Sequence, residues 1–292
     1  MRTFDPVTPF RGSAALSAGH VSAYQLRAEY RRLFPNVYIH SAGEISAGKL
    51  VRAASLWAPT GSVIGGLGAA LLHGERWYAP HRVREAIDVY CVGTSPAPRG
   101  VRMRRIAREL PPSHVLEQHG LRLTTAARTA IDVGRWENDD NTAIAKIDAV
   151  CNRSKTPVGS LDSTLEQMRG LHGVKRVRSL LRWCDDRADS PPETRLRLLL
   201  PRSGLPAPTP QLTIYNEFGS RIATADLGYE KQKVAIFYDS GLHREKSQWE
   251  YDAWVNAQLA ELGWERFRVT AQMMRTPVTL IRQIASALTR AA

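Results

Sequence analysis

Three carboxylates and one imidazole, Glu193, Asp226, Asp239 and His243, fall between positions 193 and 243 of this chain. Oxygen donors of this kind suit magnesium or manganese rather than zinc. A metal held by Asp226, Asp239 and Glu193 would activate water and offset charge on a pentavalent phosphate, so the chemistry would be phosphodiester hydrolysis. His243, in a glycine-containing turn, would act as general base or leaving-group acid, because its pKa lies near working pH. Each residue also has a plainer reading. Asp226 could be a strand-end residue bonding a turn, and Asp239 an ordinary turn residue before Ser240-Gly241. His243 could simply lie on the surface, and Glu193 could complement a helix dipole. The catalytic reading rests on all four sharing one structural unit.

That unit must be built by the elements around them. A polar, proline-ended stretch, Asp185 to Pro192, marks a linker, and a helix starts directly after it, with Ser190 as cap and a proline in its first turn. Leu196, Leu198, Leu199 and Leu200 bury one side, and the helix stops before Gly204-Leu205-Pro206. Strands are expected at Gln211–Tyr215, Arg221–Leu227 and Lys233–Asp239, the last an apolar run typical of a strand covered on both faces. A helix over Lys246–Leu262 closes at Gly263, a strand follows at Trp264–Thr270, and a last helix spans Pro277–Thr289. The fold class is α/β (α+β), with a C-terminal αβββαβ layer domain over 187–292.

The chain has 292 residues, enough for more than one core, with 43% hydrophobic and 23% charged residues. Its longest apolar stretch, Ser62 to Leu72, is eleven residues and glycine-rich, too short for a membrane span of roughly 20 residues. The N-terminus lacks the apolar core of a secretory signal. Cys91, Cys151 and Cys184 form neither a disulfide framework nor a CxxC zinc pair, so a reducing cytoplasm is expected, without a membrane partner. Forty Lys and Arg against 28 Asp and Glu give a net charge of +12. Such a field attracts polyanions, and DNA is the expected partner; a surface that merely uses arginine freely is the alternative.

Before the linker, two short helices at Ser13–Ala18 and Ser22–Arg32 lead through Leu33–Ile39 towards a wing strand, a spacing that suits a winged helix-turn-helix over 1–45. Arg27, Arg31 and Arg32 would meet phosphates, or be solvated on an ordinary helical pair. An α/β middle domain is expected over 46–186. Its segment Val101–Arg108 carries Arg102, Arg104 and Arg105, either a basic strand facing phosphates or a charged edge that discourages aggregation. Gly65-Gly66-Leu67-Gly68 lacks the G-K-[ST] of a phosphate loop.

The segment S-P-P-E-T-R-L-R-L-L-L-P-R-S-G-L-P-x-P-x-x-Q, with A-D-L, K-V-A-I-F-Y-D-S-G-L-H-R, Q-W-x-x-D and G-W-x-R-F-R-V-T, resembles the DUF559 family over roughly 188–290. That family is related to the very-short-patch-repair endonucleases of the PD-(D/E)XK, restriction-endonuclease-like superfamily. The resemblance implies Asp226 as metal-binding carboxylate, with Glu193, Asp239 and His243 around it. Family members commonly read E-Y-D-G on the third strand; here Phe237 and Ser240 take the first and fourth positions, which removes a ligand. The very-short-patch enzymes, which read F-x-x-G there, are similar to this chain in having phenylalanine in place of that glutamate. Further forward, F-R-G-S-A-A-L-S-A-G-H-V-S-A-Y-Q-L-R, R-R-L-F-P-N-V-Y and L-T-T-A-A-R-T-A-I-D-V resemble the AbiEi-type antitoxins over about 10–135. This implies a recognition helix presenting Tyr24, Gln25, Arg27, Arg31 and Arg32 to DNA, and a cognate toxin as a partner. Two functions follow as expectations: a metal-dependent DNA endonuclease of repair or defence, or a non-catalytic DNA-binding regulator or antitoxin that keeps a nuclease-like fold.

Overall fold

A computed structural model of the chain describes residues 4–93, 96–239 and 246–290, with the backbone alone for 246–252. The first part is a small three-stranded sheet with two short helices. Strand β1 (Phe10–Arg11) enters α1 (Gly12–Ser17) and α2 (Ala23–Ala28), and a hairpin of β2 (Tyr30–Phe34) and β3 (Val37–His40) follows, with sheet order β1-β3-β2. Ser22 caps α2 and exchanges backbone-to-side-chain bonds with Gln25, which satisfies donors the first turn leaves open. The helix expected to run to Arg32 ends at Ala28, and Arg31 and Arg32 lie in β2. The hairpin wins because Asn36 turns at φ 59° and lets Phe34 and Val37 both reach the interior. At Gly12, an added Cβ would sit 2.7 Å from the Tyr38 ring, so only glycine admits this close approach.

The middle of the chain contains α3 (Ala47–Trp57), β4 (Val63–Gly65), α4 (Gly66–Leu72), α5 (Ala79–Arg82), β5 (Ile87–Val92), β6 (Val101–Ile106), β7 (Val115–Gln118) and β8 (Leu121–Thr124). The strands make a mixed sheet of order β6-β5-β4-β8-β7. Helices α6 (Ala126–Arg135), α7 (Asp140–Ser154), α8 (Leu161–Gln167) and α9 (Val174–Leu180) pack through Ile131, Ile147, Leu161, Leu165 and Val177. Phe34 and Val37 of the hairpin belong to the same buried cluster as Val51, Ile64, Ile87 and Leu123. The N-terminal part and the middle part therefore share a core across the boundary expected at residue 45.

Beyond the linker the order is as expected: α10 (Pro191–Arg202), β9 (Thr209–Tyr215), β10 (Arg221–Tyr229), β11 (Val234–Asp239), α11 (Lys246–Glu261) and β12 (Glu265–Thr270). A short α12 (Ala271–Arg275), absent from the sequence reading, precedes α13 (Val278–Arg290). The sheet order is β12-β11-β10-β9, antiparallel except for the parallel pair β11–β12 joined across α11. Helices α10 and α13 cover one face around Leu227 and Ile236, and α11 covers the other around Ala235 and Phe237. This double cover explains the unbroken apolar run at Val234–Ile236. The domain is anchored to the middle part by the fully buried Asp148 of α7, which accepts bonds from Arg197 at 2.8 Å, Thr194 at 2.9 Å and the Asp185 N–H at 2.8 Å. Among the described residues, no helix is long and apolar enough to cross a membrane.

Candidate active site

Glu193 sits in the first turn of α10 because Ser190 caps that helix. Its carboxylate folds back towards the cap: Oε1 accepts the Ser190 hydroxyl at 2.6 Å and Oε2 accepts the Asp189 N–H at 3.1 Å. A third donor, the Gln211 side-chain amide, reaches Oε2 at 3.0 Å. Gln211 is held at φ 50°, a left-handed conformation that costs a non-glycine residue roughly 1–2 kcal/mol. Strain of this sort collects where a side chain must be aimed. Asp226 is the cross-strand neighbour of Gln211, since the flanking pairs are Ala225↔Leu212 and Leu227↔Pro210.

On its other side Asp226 stands beside Phe237, one step beyond the Leu227↔Ile236 pair that ends the β10–β11 ladder. There its Oδ2 accepts the Tyr238 N–H at 2.5 Å, replacing a backbone acceptor where the strands part. Glu193 is 8% exposed. Burial first, and then the neighbouring charge of Asp226, push its carboxyl up to about 7 against the stabilising Ser190 and Asp189 donors. Burial also raises the Asp226 carboxyl, opposed by the Tyr238 N–H and reinforced by the charge of Asp189. No lysine, arginine or histidine whose side chain is described bonds either carboxylate.

The other two candidates fare differently. Asp239 is bound by Arg268 of β12, through Nε at 2.8 Å and through Nη2, so an arginine already faces its charge. The reason lies in the parallel pairing of β11 with β12, which brings Arg268 alongside this end of β11. His243 lies outside the described residues. Among the described residues no three His, Cys, Asp or Glu side chains group as a metal site. Phe237 packs against the α11 core, with the Arg266 guanidinium 4.9 Å from its ring centre.

Two contributors escaped the sequence reading. Gln211 closes the quoted motif without a role that its residue type assigns, and its bond to Glu193 together with its left-handed backbone reveals one. Asp189 looked like linker. Its N–H serves Glu193, while its carboxylate meets Arg153 at 2.9 Å and its carbonyl accepts the Trp77 indole at 3.0 Å. Two middle-domain residues thus hold the residue that holds Glu193.

The residues expected to face DNA are dispersed. Tyr24 is 74% exposed on α2, with Arg27 also exposed, while the Gln25 carbonyl is engaged in the cap. Arg31 bonds the Gly43 carbonyl, and Arg32 is exposed on β2. Arg105 is exposed on β6, whereas Arg102 and Arg104 turn to the opposite face, towards the buried Asp88.

The uncharacterized proteins Rv2248 (strain ATCC 25618 / H37Rv) and MT2308 (strain CDC 1551 / Oshkosh) of Mycobacterium tuberculosis are each 30% identical to this chain over 205 residues, covering 66% of it and 72% of their own length. The chain belongs to their family. No family model matches it, and no solved structure matches it.

Proposed function

We propose that this protein binds DNA and that its C-terminal domain hydrolyses a phosphodiester bond with a divalent cation, magnesium or manganese, held by Glu193 and Asp226. The observation that carries this reading is the pair itself: a buried Glu193 and a half-buried Asp226, aimed by Gln211, Ser190 and the Asp189 and Tyr238 N–H groups, both carboxyls raised by burial and Glu193 raised further by Asp226. Adjacent carboxylates without a matching cation are stabilised by a proton or by a metal ion. Their donors suit a hard cation, which commonly takes one or two carboxylates and completes its shell with water and phosphate oxygens. A divalent ion bound there would supply positive charge at the phosphate and an activated water. Gln211, Ser190 and the Asp189 N–H orient Glu193, and the Tyr238 N–H orients Asp226. DNA contact is assigned to the winged part, where β1-β3-β2 backs α1 and α2 and Tyr24, Arg27 and Arg32 are exposed.

Phe237 and the Arg268–Asp239 pair favour a second reading, a DNA-binding regulator of the antitoxin kind, with a toxin as its partner and no cleavage. A supercoiled-plasmid assay with magnesium or manganese separates the two. Nicking that the Asp226→Asn protein lacks, by at least about 100-fold, supports the nuclease. Salt-sensitive DNA retention without nicking in either metal assigns the domain to the second reading.

A further inference from the structure

The middle domain holds a cavity of about 200 Å³ that neither the carboxylate pair nor the winged part uses, walled by Asp88, Arg102, Arg104, Trp136, Glu137 and Lys146. Its side chains are held in place. Arg104 donates Nε to Asp88 Oδ1 at 2.7 Å, and its guanidinium lies 3.6 Å from the centre of the Trp136 ring. A planar cation clamped by a carboxylate and an aromatic face has little freedom left to lose on binding. Behind that wall, Asp132 accepts Arg128, Arg135 and the Tyr90 hydroxyl, and Arg135 reaches the same Trp136 ring at 4.9 Å. Gly66 completes the enclosure at φ 54°, where an added Cβ would come within 2.5 Å of Asp88 Oδ2 and 2.9 Å of Trp136.

The charges around the cavity do not cancel. Arg104 is matched by Asp88, Lys146 by Glu137 at 2.5 Å, and Arg82 by Glu85 at 3.8 Å. Arg102 remains. Its Nη1 lies 3.6 Å from Asp88, beyond hydrogen-bond reach, and its side chain is 56% exposed at the mouth. It can therefore swing onto an incoming oxyanion without breaking a hydrogen bond to Asp88. Arg82, also at the mouth and 64% exposed, faces Glu85 only at 3.8 Å, likewise beyond hydrogen-bond reach, so it too can turn onto an oxyanion as a second guanidinium. Two such groups at one opening match the spread charge of a phosphate, which arginine grips through paired N–H donors.

We propose that this cavity binds a terminal phosphate, on a free nucleotide or at the end of a strand, with Arg102 and Arg82 gripping the phosphate and Arg104 forming the fixed wall. The site is independent of the carboxylate pair and does not require the protein to cleave DNA.

Isothermal titration of the full chain at low salt tests it, using adenosine 5′-monophosphate, a 5′-phosphorylated single-stranded trinucleotide, adenosine and succinate. One equivalent of the monophosphate or of the trinucleotide binds, adenosine and succinate bind at least tenfold more weakly, and Arg102→Ala and Arg82→Ala each weaken the phosphate-bearing probe at least tenfold. Both arginines are exposed, so both variants keep the wild-type melting temperature and circular dichroism. Binding of the trinucleotide alone assigns the site to a strand end, and binding of the monophosphate assigns it to a free nucleotide. Absence of binding by both phosphate probes, equal binding of adenosine or succinate, or wild-type affinity in both folded variants overturns the proposal.

Discussion

Two buried acidic clusters in this molecule have opposite character. In the middle domain Asp132 is fully buried and surrounded by donors: Arg128 at 2.9 Å, Arg135 at 2.7 Å and the Tyr90 hydroxyl at 2.7 Å. In the C-terminal domain Glu193 and Asp226 are also largely removed from water, yet the groups that bond them are neutral amides and a hydroxyl. A buried carboxylate matched by two guanidinium groups is part of the scaffold, because its charge is balanced within the fold. A pair removed from water and aimed by neutral donors has no counter-charge among the described residues, so it is stabilised by a proton or by a cation from outside. Neutral donors fix geometry without cancelling charge, and that distinguishes a candidate site from a structural ion network.

The largest effect should come from breaking the matched cluster. Asp132→Ala leaves Arg128, whose side chain is 3% exposed, without its carboxylate, and should cost about 3–5 kcal/mol in urea denaturation. A loss below about 1 kcal/mol would erase the contrast between the clusters.

Next in size is a pH effect belonging to the unmatched pair. The folded Glu193 carboxyl stands at about 7, above the ordinary 4.5 of the unfolded chain. A raised carboxyl favours the fold while it stays protonated, so its contribution is complete below pH 4.5 and is lost as pH rises through 7. Thermal melts should therefore show stability falling across that window, and Glu193→Gln should flatten the fall. A profile identical to wild type would place the titration elsewhere. Asp148, which burial pushes to about 7 despite Arg197, acts in the same direction and remains in the variant, so part of the slope should persist.

A smaller change tests how Glu193 is aimed. Ser190→Ala removes both the α10 cap and the hydroxyl that bonds Glu193, and should lower stability by about 1 kcal/mol in thermal denaturation. It should also weaken manganese binding measured by calorimetry, whereas a cap acting alone would leave that binding unchanged. Smallest in stability is Asp226→Asn. The amide oxygen can still accept the Tyr238 N–H, and one like charge disappears, so denaturation should shift by less than about 1 kcal/mol. A loss of several kcal/mol would make Asp226 a scaffold residue like Asp132.

Much of the C-terminal architecture was legible in local residue patterns. The Ser190 cap, the leucines of α10, the apolar run of β11 and the stop at Gly263 are short-range signals, and each element formed within a few residues of its expected bounds. The N-terminal part is less legible, because the stretch Glu29–Arg32 is compatible with a helix until Tyr30↔His40 and Arg32↔Tyr38 pair it as a strand. Glu193 and Asp226 were legible as candidates, since their residue types and helix or strand positions carry the signal.

The sequence by itself determined which residues could bear charge and which elements would form, because capping, periodicity and turn chemistry act over a few residues. Only the tertiary structure decided which charges would be matched. It set Arg268 against Asp239 through a parallel strand pairing, turned Arg104 inward onto Asp88, and fixed Asp189 between two domains. Those outcomes depend on contacts between segments distant in sequence, and the energy of a buried carboxylate depends on which of those segments arrives beside it.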